Sequence, residues 1–118
     1  MEVDTVQLSA KAIGDSHIND LVNHLKKYPQ CRQLDLQSNR ITDEGVQHLA
    51  RGVAEHSNLT ALNLANNKLT EKCIEPLTAT LRVKRNLREL DLSGNGITNR
   101  VFKNKIKNVL TWVSDIKF

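Results

Sequence analysis

Three stretches of the chain alternate apolar and polar residues in the same way. Leu34 and Leu36 alternate with Gln33, Asp35 and Gln37, and the pairs Leu62/Leu64 and Leu90/Leu92 repeat the pattern. This is the period of a strand with one face buried. A different period follows each stretch. Val46, Leu49, Ala50 and Val53 are spaced as one face of a helix, as are Ile74, Leu77 and Leu81. Ahead of the first stretch, Ile18, Leu21, Val22 and Leu25 do the same. Thr42, Thr70 and Thr98 are the expected helix starts. Pro76 belongs in a first turn, so the third helix is expected to start late. Tyr28-Pro29 closes the first helix.

Self-comparison unites these elements. Cys31 to Ile41 (CRQLDLQSNRI) recurs as Leu59 to Leu69 (LTALNLANNKL) and as Leu87 to Ile97 (LRELDLSGNGI), 28 residues apart each time. One step earlier, Val3 to Ile13 keeps Val3, Val6, Leu8 and Ile13 but has Lys11 in place of the recurring Asn. Four units are expected, at about 3–30, 31–58, 59–86 and 87–114, in a single domain.

The lines fit L-x-x-L-x-L-x-x-N-x-L. The chain resembles a leucine-rich-repeat protein, and the 28-residue period resembles the ribonuclease-inhibitor-like subfamily. The resemblance implies a short right-handed α/β solenoid, with four parallel strands on the concave side and helices on the convex side. It also implies that Asn39, Asn67 and Asn95 bond the backbone of neighbouring turns, as buried turns require. Lys11 has no acceptor to offer, so the first unit is expected to be the loosest. The fourth helix departs from the pattern. Its apolar face is rebuilt from Phe102, Ile106, Val109 and Val113, and its basic residues Arg100, Lys103, Lys105 and Lys107 suit a terminal cap. Phe118, 28 residues after Leu90, marks a fifth strand cut short.

Composition narrows the function. Hydrophobic residues make up 39% of the 118, which rules out a fully disordered chain, and no apolar run approaches a membrane span. The N-terminus carries acids where a signal peptide would carry Lys or Arg. A cytoplasmic setting is expected, with delivery into another cell as an effector left open. The formal charge is +4, from 17 bases and 13 acids, and the bases concentrate in the second half. Aromatics are only 3%, too few to favour base stacking. Solvated surface is therefore preferred to a nucleic-acid or acidic-membrane face.

No catalytic constellation emerges, and the reading is non-enzymatic, with no cofactor, metal or small-molecule substrate. His17, His24, His48 and His56 lack zinc-ligand spacing and read as solvated helix-face residues. Cys31 occupies a leucine column and reads as a small buried hydrophobe, and Cys73 lies near a helix start, where a thiol pKa can fall. Ser93-Gly94-Asn95-Gly96 is a strand-exit turn, not a phosphate loop.

The candidate site is the concave face, to which Gln33, Asp35, Gln37, Asn63, Asn66, Glu89, Asp91 and Ser93 are assigned. Ala61 and Ala65 share these exposed columns. The face is polar and mildly acidic, and resemblance favours a protein partner there. It lacks the Trp, Tyr and Arg that dominate binding hot spots. The second candidate is the basic fourth helix with Arg82, Lys84, Arg85, Arg88 and Trp112, which would suit an acidic partner, a phosphoinositide surface or RNA. A capping helix with Trp112 packed on the last repeat is preferred to it. Ran GTPase-activating proteins are similar in repeat type. That likeness gives an alternative in which Asn39, Arg40 or Arg100 orients a GTPase site. A further alternative is a structural end fragment of a longer receptor or effector.

Overall fold

A computed structural model of the protein describes residues 4–118. Val3, the first of the repeating apolar positions, lies outside the described residues. Five short parallel strands form one sheet in chain order: β1 (Thr5–Gln7), β2 (Gln33–Asp35), β3 (Ala61–Asn63), β4 (Glu89–Asp91) and β5 (Asp115–Lys117). Four helices alternate with them: α1 (Ile18–Leu25), α2 (Asp43–Glu55), α3 (Ile74–Leu81) and α4 (Arg100–Val109). The result is an α/β solenoid measuring 42 × 29 × 18 Å.

Register follows the sequence columns. Val6 faces Leu34, Leu34 faces Leu62, and Leu62 faces Leu90. Leu34, Leu36, Leu62, Leu64, Leu90 and Leu92 are all at most 2% exposed. Each such side chain removed from water contributes on the order of 2 kcal/mol, and this column is the main source of the sheet's cohesion. Leu49, Val53, Leu77 and Leu81 close the core from the helical side. The fifth strand joins the expected four. Its core residue is Ile116, paired with Leu90, and not Phe118. The last unit is therefore two residues shorter than the others.

Helix starts partly follow the threonines. Thr42 precedes α2, but its side chain makes no capping bond. A 3-10 turn (Glu71–Cys73) follows Thr70, and α3 begins only at Ile74, with Pro76 in its first turn. Asn99, not Thr98, caps α4, accepting the Val101 N–H. In α4 the stripe is also corrected. Ile106 and Val113 are buried, but Val109 is 37% exposed, and Leu110 fills the core in its place.

The asparagine ladder forms as expected, with a direction. Asn39 Oδ1 accepts the Lys11 and Ile13 N–H groups at 3.0 and 2.9 Å, and its Nδ2 donates to the Leu8 and Leu36 carbonyls. Asn95 does the same for the turn holding Asn67 and Leu69. Each Asn thus completes the turn of the unit before its own. Asn39 thus serves the first turn despite Lys11, but the bonds that each Asn also donates within its own turn, as Asn39 does to the Leu36 and Gln37 carbonyls, have no counterpart at Lys11.

Candidate protein-binding face

The concave face is a shallow, open depression of about 190 Å³ spanning all five strands. Gln33 and Glu89 are exposed upon it, and Asp35, Asn63 and Asp91 are half-buried. The fifth strand adds Asp115 and Lys117, which pair with Glu89 and Asp91 in register. Lys117 Nζ lies 3.6 Å from Asp115 Oδ2. Glu89, Asp91 and Asp115 therefore gather at the β4–β5 end of the face, and Asp35 is the one acid beside Thr5, Gln7 and Gln33 at the other end. Ala65, expected among the exposed residues, is buried at 4%.

Three of the assigned residues hold the backbone. Asp35 Oδ1 accepts the Gln37 N–H, Asn63 Oδ1 the Ala65 N–H and Asp91 Oδ1 the Ser93 N–H, at 3.0–3.1 Å. These bonds pin the chain as it leaves each strand. The next residue in each turn must take a left-handed conformation. Ser38, Asn66 and Gly94 have φ of 59°, 56° and 70°. Only glycine, and to a lesser degree Asn, adopts that region at little cost. Among the described residues, Gln33, Asn66 and Glu89 are exposed and make no side-chain hydrogen bond, so they are the free part of the face.

Two further ladders escaped the sequence reading. In the first, Asp43 takes both the Thr70 N–H and hydroxyl, at 2.8 and 2.6 Å. Asp15 takes the same groups of Thr42, and Glu71 accepts from Thr98 and from the Asn99 N–H. The signal was present as acids and threonines recurring at fixed register. In the second, Tyr28, His56, Lys84 and Trp112 occupy one repeat position in the turns that lead from helix to strand. His56 Nε2 donates to the Tyr28 carbonyl at 2.9 Å, and Trp112 Nε1 to the Lys84 carbonyl at 2.7 Å. Lys84 Nζ donates to Asn86 Oδ1 at 2.7 Å, and Asn86 Nδ2 to the Ser57 carbonyl. His56 is thus 8% exposed and not a solvated helix-face residue.

The basic fourth helix is largely occupied by its own neighbours. Lys105 pairs with Glu75 of α3. Lys103 and Lys107 lie 5.5 and 5.6 Å from the Phe118 ring. Arg100 is exposed. Trp112 is half-buried against the core, as a cap requires, with the Arg85 guanidinium 4.2 Å from its ring centre. Of the residues considered for a GTPase site, Asn39 is 7% exposed and its amide is consumed by the ladder. Both cysteines are free and buried. Burial pushes the Cys73 thiol up to about 12, with the Asp43 charge adding to the shift, so proximity to a helix start does not activate it.

Comparison with known proteins agrees with this geometry. Two models of the leucine-rich repeat match successive units, one at residues 32–50 and 83–100, the other at 58–79. The chain is built of leucine-rich repeats. No curated protein matches it in sequence. Among solved structures it is similar to actin-binding site 2 of leiomodin-1, with a TM-score of 0.84 and 19% identity over 97% of this chain and 69% of that one. It is also similar to the tropomodulin C-terminal domain of Caenorhabditis elegans, with a TM-score of 0.69 and 19% identity over 90% and 64% of the two chains. At these identities the likeness is one of fold.

Proposed function

We propose that the protein is a non-enzymatic protein-binding module that recognises its partner through the concave face and the adjoining strand-exit turns. One observation carries the reading: a continuous polar face crosses all five strands, and Gln33 and Glu89 on it are exposed without a task in the fold. Five strands at about 4.8 Å spacing, three residues long, present only about 240 Å². A stable interface takes about 800 Å² per partner. The turns at Asn66 and Arg40 therefore join the contact. We also assign the repeats to the 28-residue, ribonuclease-inhibitor-like type. The in-register partners Thr5, Gln33, Ala61 and Glu89, with a helix between successive strands, support that assignment.

The test is affinity capture from native-cell lysate with wild type and a Gln33→Lys/Glu89→Lys variant. Circular dichroism verifies the fold. Substituting Asp35 or Asp91 by Lys would remove turn bonds as well as charge, so those positions make poor probes. A partner captured by wild type and lost by the folded variant is expected. Equal capture by both removes the concave face from the function.

A second reading takes its partner from the leiomodin-1 domain, an actin-binding site. It rests on the 0.84 TM-score over 97% of the chain. Co-sedimentation with filamentous actin and gel filtration with monomeric actin examine it. Binding to neither form dismisses actin and leaves the general reading intact.

A further inference from the structure

The turns leading from helix to strand form a second edge of the solenoid, away from the strand exits. Two features on it leave groups that the fold does not use. The first is a cavity of about 340 Å³ between the ends of α1 and α2. Val22, Leu25 and Pro29 give it an apolar wall, and His56 lines it. His56 Nε2 must carry a proton to donate to the Tyr28 carbonyl, which leaves Nδ1 as an acceptor. That Nδ1 is buried and has no partner among the described residues. Buried polar atoms are rarely left so.

The second feature is a cluster of arginines. The segment from Arg82 to Arg88 holds Arg82, Lys84, Arg85 and Arg88 and no acid. Lys84 is buried and bonded within the turn. The three arginines are exposed, and none forms an ion pair among the described residues. Two are held in place. Arg85 stacks on Trp112, and Arg88 donates to the Arg85 carbonyl at 3.0 Å. A guanidinium stacked on an aromatic ring loses less freedom on gripping a carboxylate. Val83 between them is 70% exposed. Trp and Arg are the residue types that dominate binding hot spots, and the concave face lacks them.

The Ser57 carbonyl, on the rim of the cavity, accepts from Asn86 within the arginine turn. The two features therefore lie along one edge in adjacent repeats. We infer that this edge is a second docking surface, for an acidic polypeptide segment of a protein partner. An apolar side chain of the segment enters the cavity against Val22, Leu25 and Pro29, a backbone N–H of the segment supplies the donor that His56 Nδ1 lacks, and its carboxylates meet Arg82 and Arg85, away from Glu55 on the cavity rim. The cavity sets the apolar requirement and the arginines set the charge. A nucleic acid or a lipid headgroup satisfies only the second.

The sole tryptophan, Trp112, lies in this surface and reports on it directly. The probe is a synthetic peptide with one leucine ahead of a short run of glutamates, titrated into the full chain at low salt. Saturable change in Trp112 emission is expected. Replacing the leucine by glycine weakens binding about tenfold, the value of one buried aliphatic side chain. Arg82→Gln/Arg85→Gln weakens it by a similar factor, as two partly exposed charge contacts do. Arg100→Gln/Lys103→Gln removes the same charge elsewhere and leaves binding unchanged. The inference is overturned if the glycine peptide binds as well as the leucine peptide, or if the two double variants weaken binding equally. It is overturned also if single-stranded RNA or phosphatidylserine vesicles change the emission and the peptide does not.

Discussion

The Asp43 carboxylate grips Thr70 of the following repeat twice, taking its N–H at 2.8 Å and its hydroxyl at 2.6 Å. The two residues are far apart in sequence, and the contact recurs between Asp15 and Thr42. It fixes the start of one helix to the start of the next. Replacing Asp43 by Asn keeps an acceptor for one of the two groups, whereas Ala leaves both without one. Asp43→Ala is expected to cost about 1–2 kcal/mol and Asp43→Asn less, read from urea midpoints at constant slope. Equal losses in the two variants would show that the contact does not hold the helices.

The asparagine ladder makes a sharper chemical forecast. Asn39 accepts two N–H groups through Oδ1 and donates through Nδ2 to the Leu8 and Leu36 carbonyls, with the side chain almost fully buried. Asp at this position keeps the acceptor and turns a second oxygen toward carbonyls. Asn39→Asp is therefore expected to destabilise at neutral pH at least as much as Asn39→Ala, about 2–4 kcal/mol. Recovery of part of this loss in acid, where the carboxyl can donate, distinguishes the mechanism from a simple packing defect.

Gly94 takes a φ of 70° in the turn after β4, and a Cβ there would meet the Asn66 side chain. Gly94→Ala is expected to lose about 1–2 kcal/mol by thermal or urea unfolding. At the corresponding position the chain already bears Ser38, and Ser38→Gly is expected to be neutral or mildly stabilising. A marked loss from Ser38→Gly would mean that the hydroxyl, not the backbone, governs this turn.

Cys73 gives a prediction in pH. Its thiol is raised from an ordinary value of 9.0 to about 12 by burial and by the Asp43 charge. The unfolded chain releases this proton near pH 9 and the folded chain holds it, so the unfolded state gains relative to the native one as pH rises. The associated stability is complete below pH 9 and declines toward pH 12. The unfolding free energy measured across this interval is expected to fall more steeply for wild type than for Cys73→Ala. Parallel curves for the two proteins would remove the thiol from the account.

The sequence was most legible where a repeat position keeps one residue type. The columns through Leu34, Leu62 and Leu90, and through Asn39, Asn67 and Asn95, revealed strands, turns and register together. Legibility failed where one task is done by different chemistry. His56, Lys84 and Trp112 share a position but no residue class, because their common feature is reach to the backbone of the preceding repeat. The fifth strand was displaced from Phe118 to Ile116 because the last unit is short, and a fixed step cannot foresee that. Asp35 and Asp91 are assigned to the binding face because they are polar on an open surface, and they also have a second task. Their bonds to Gln37 and Ser93 become visible only once the turns are folded.

The ladders point one way, and this bears on how the chain emerges from the ribosome. The N–H groups of Lys11 and Ile13 wait for Asn39, and that of Leu69 for Asn95. The carbonyl of Lys84 waits for Trp112, and the carboxylate of Asp43 for Thr70. During synthesis each newly made repeat is unfinished until its successor has been translated. The growing end therefore stays soft by one repeat, and a pause in translation holds a different set of polar groups open at each position along the message.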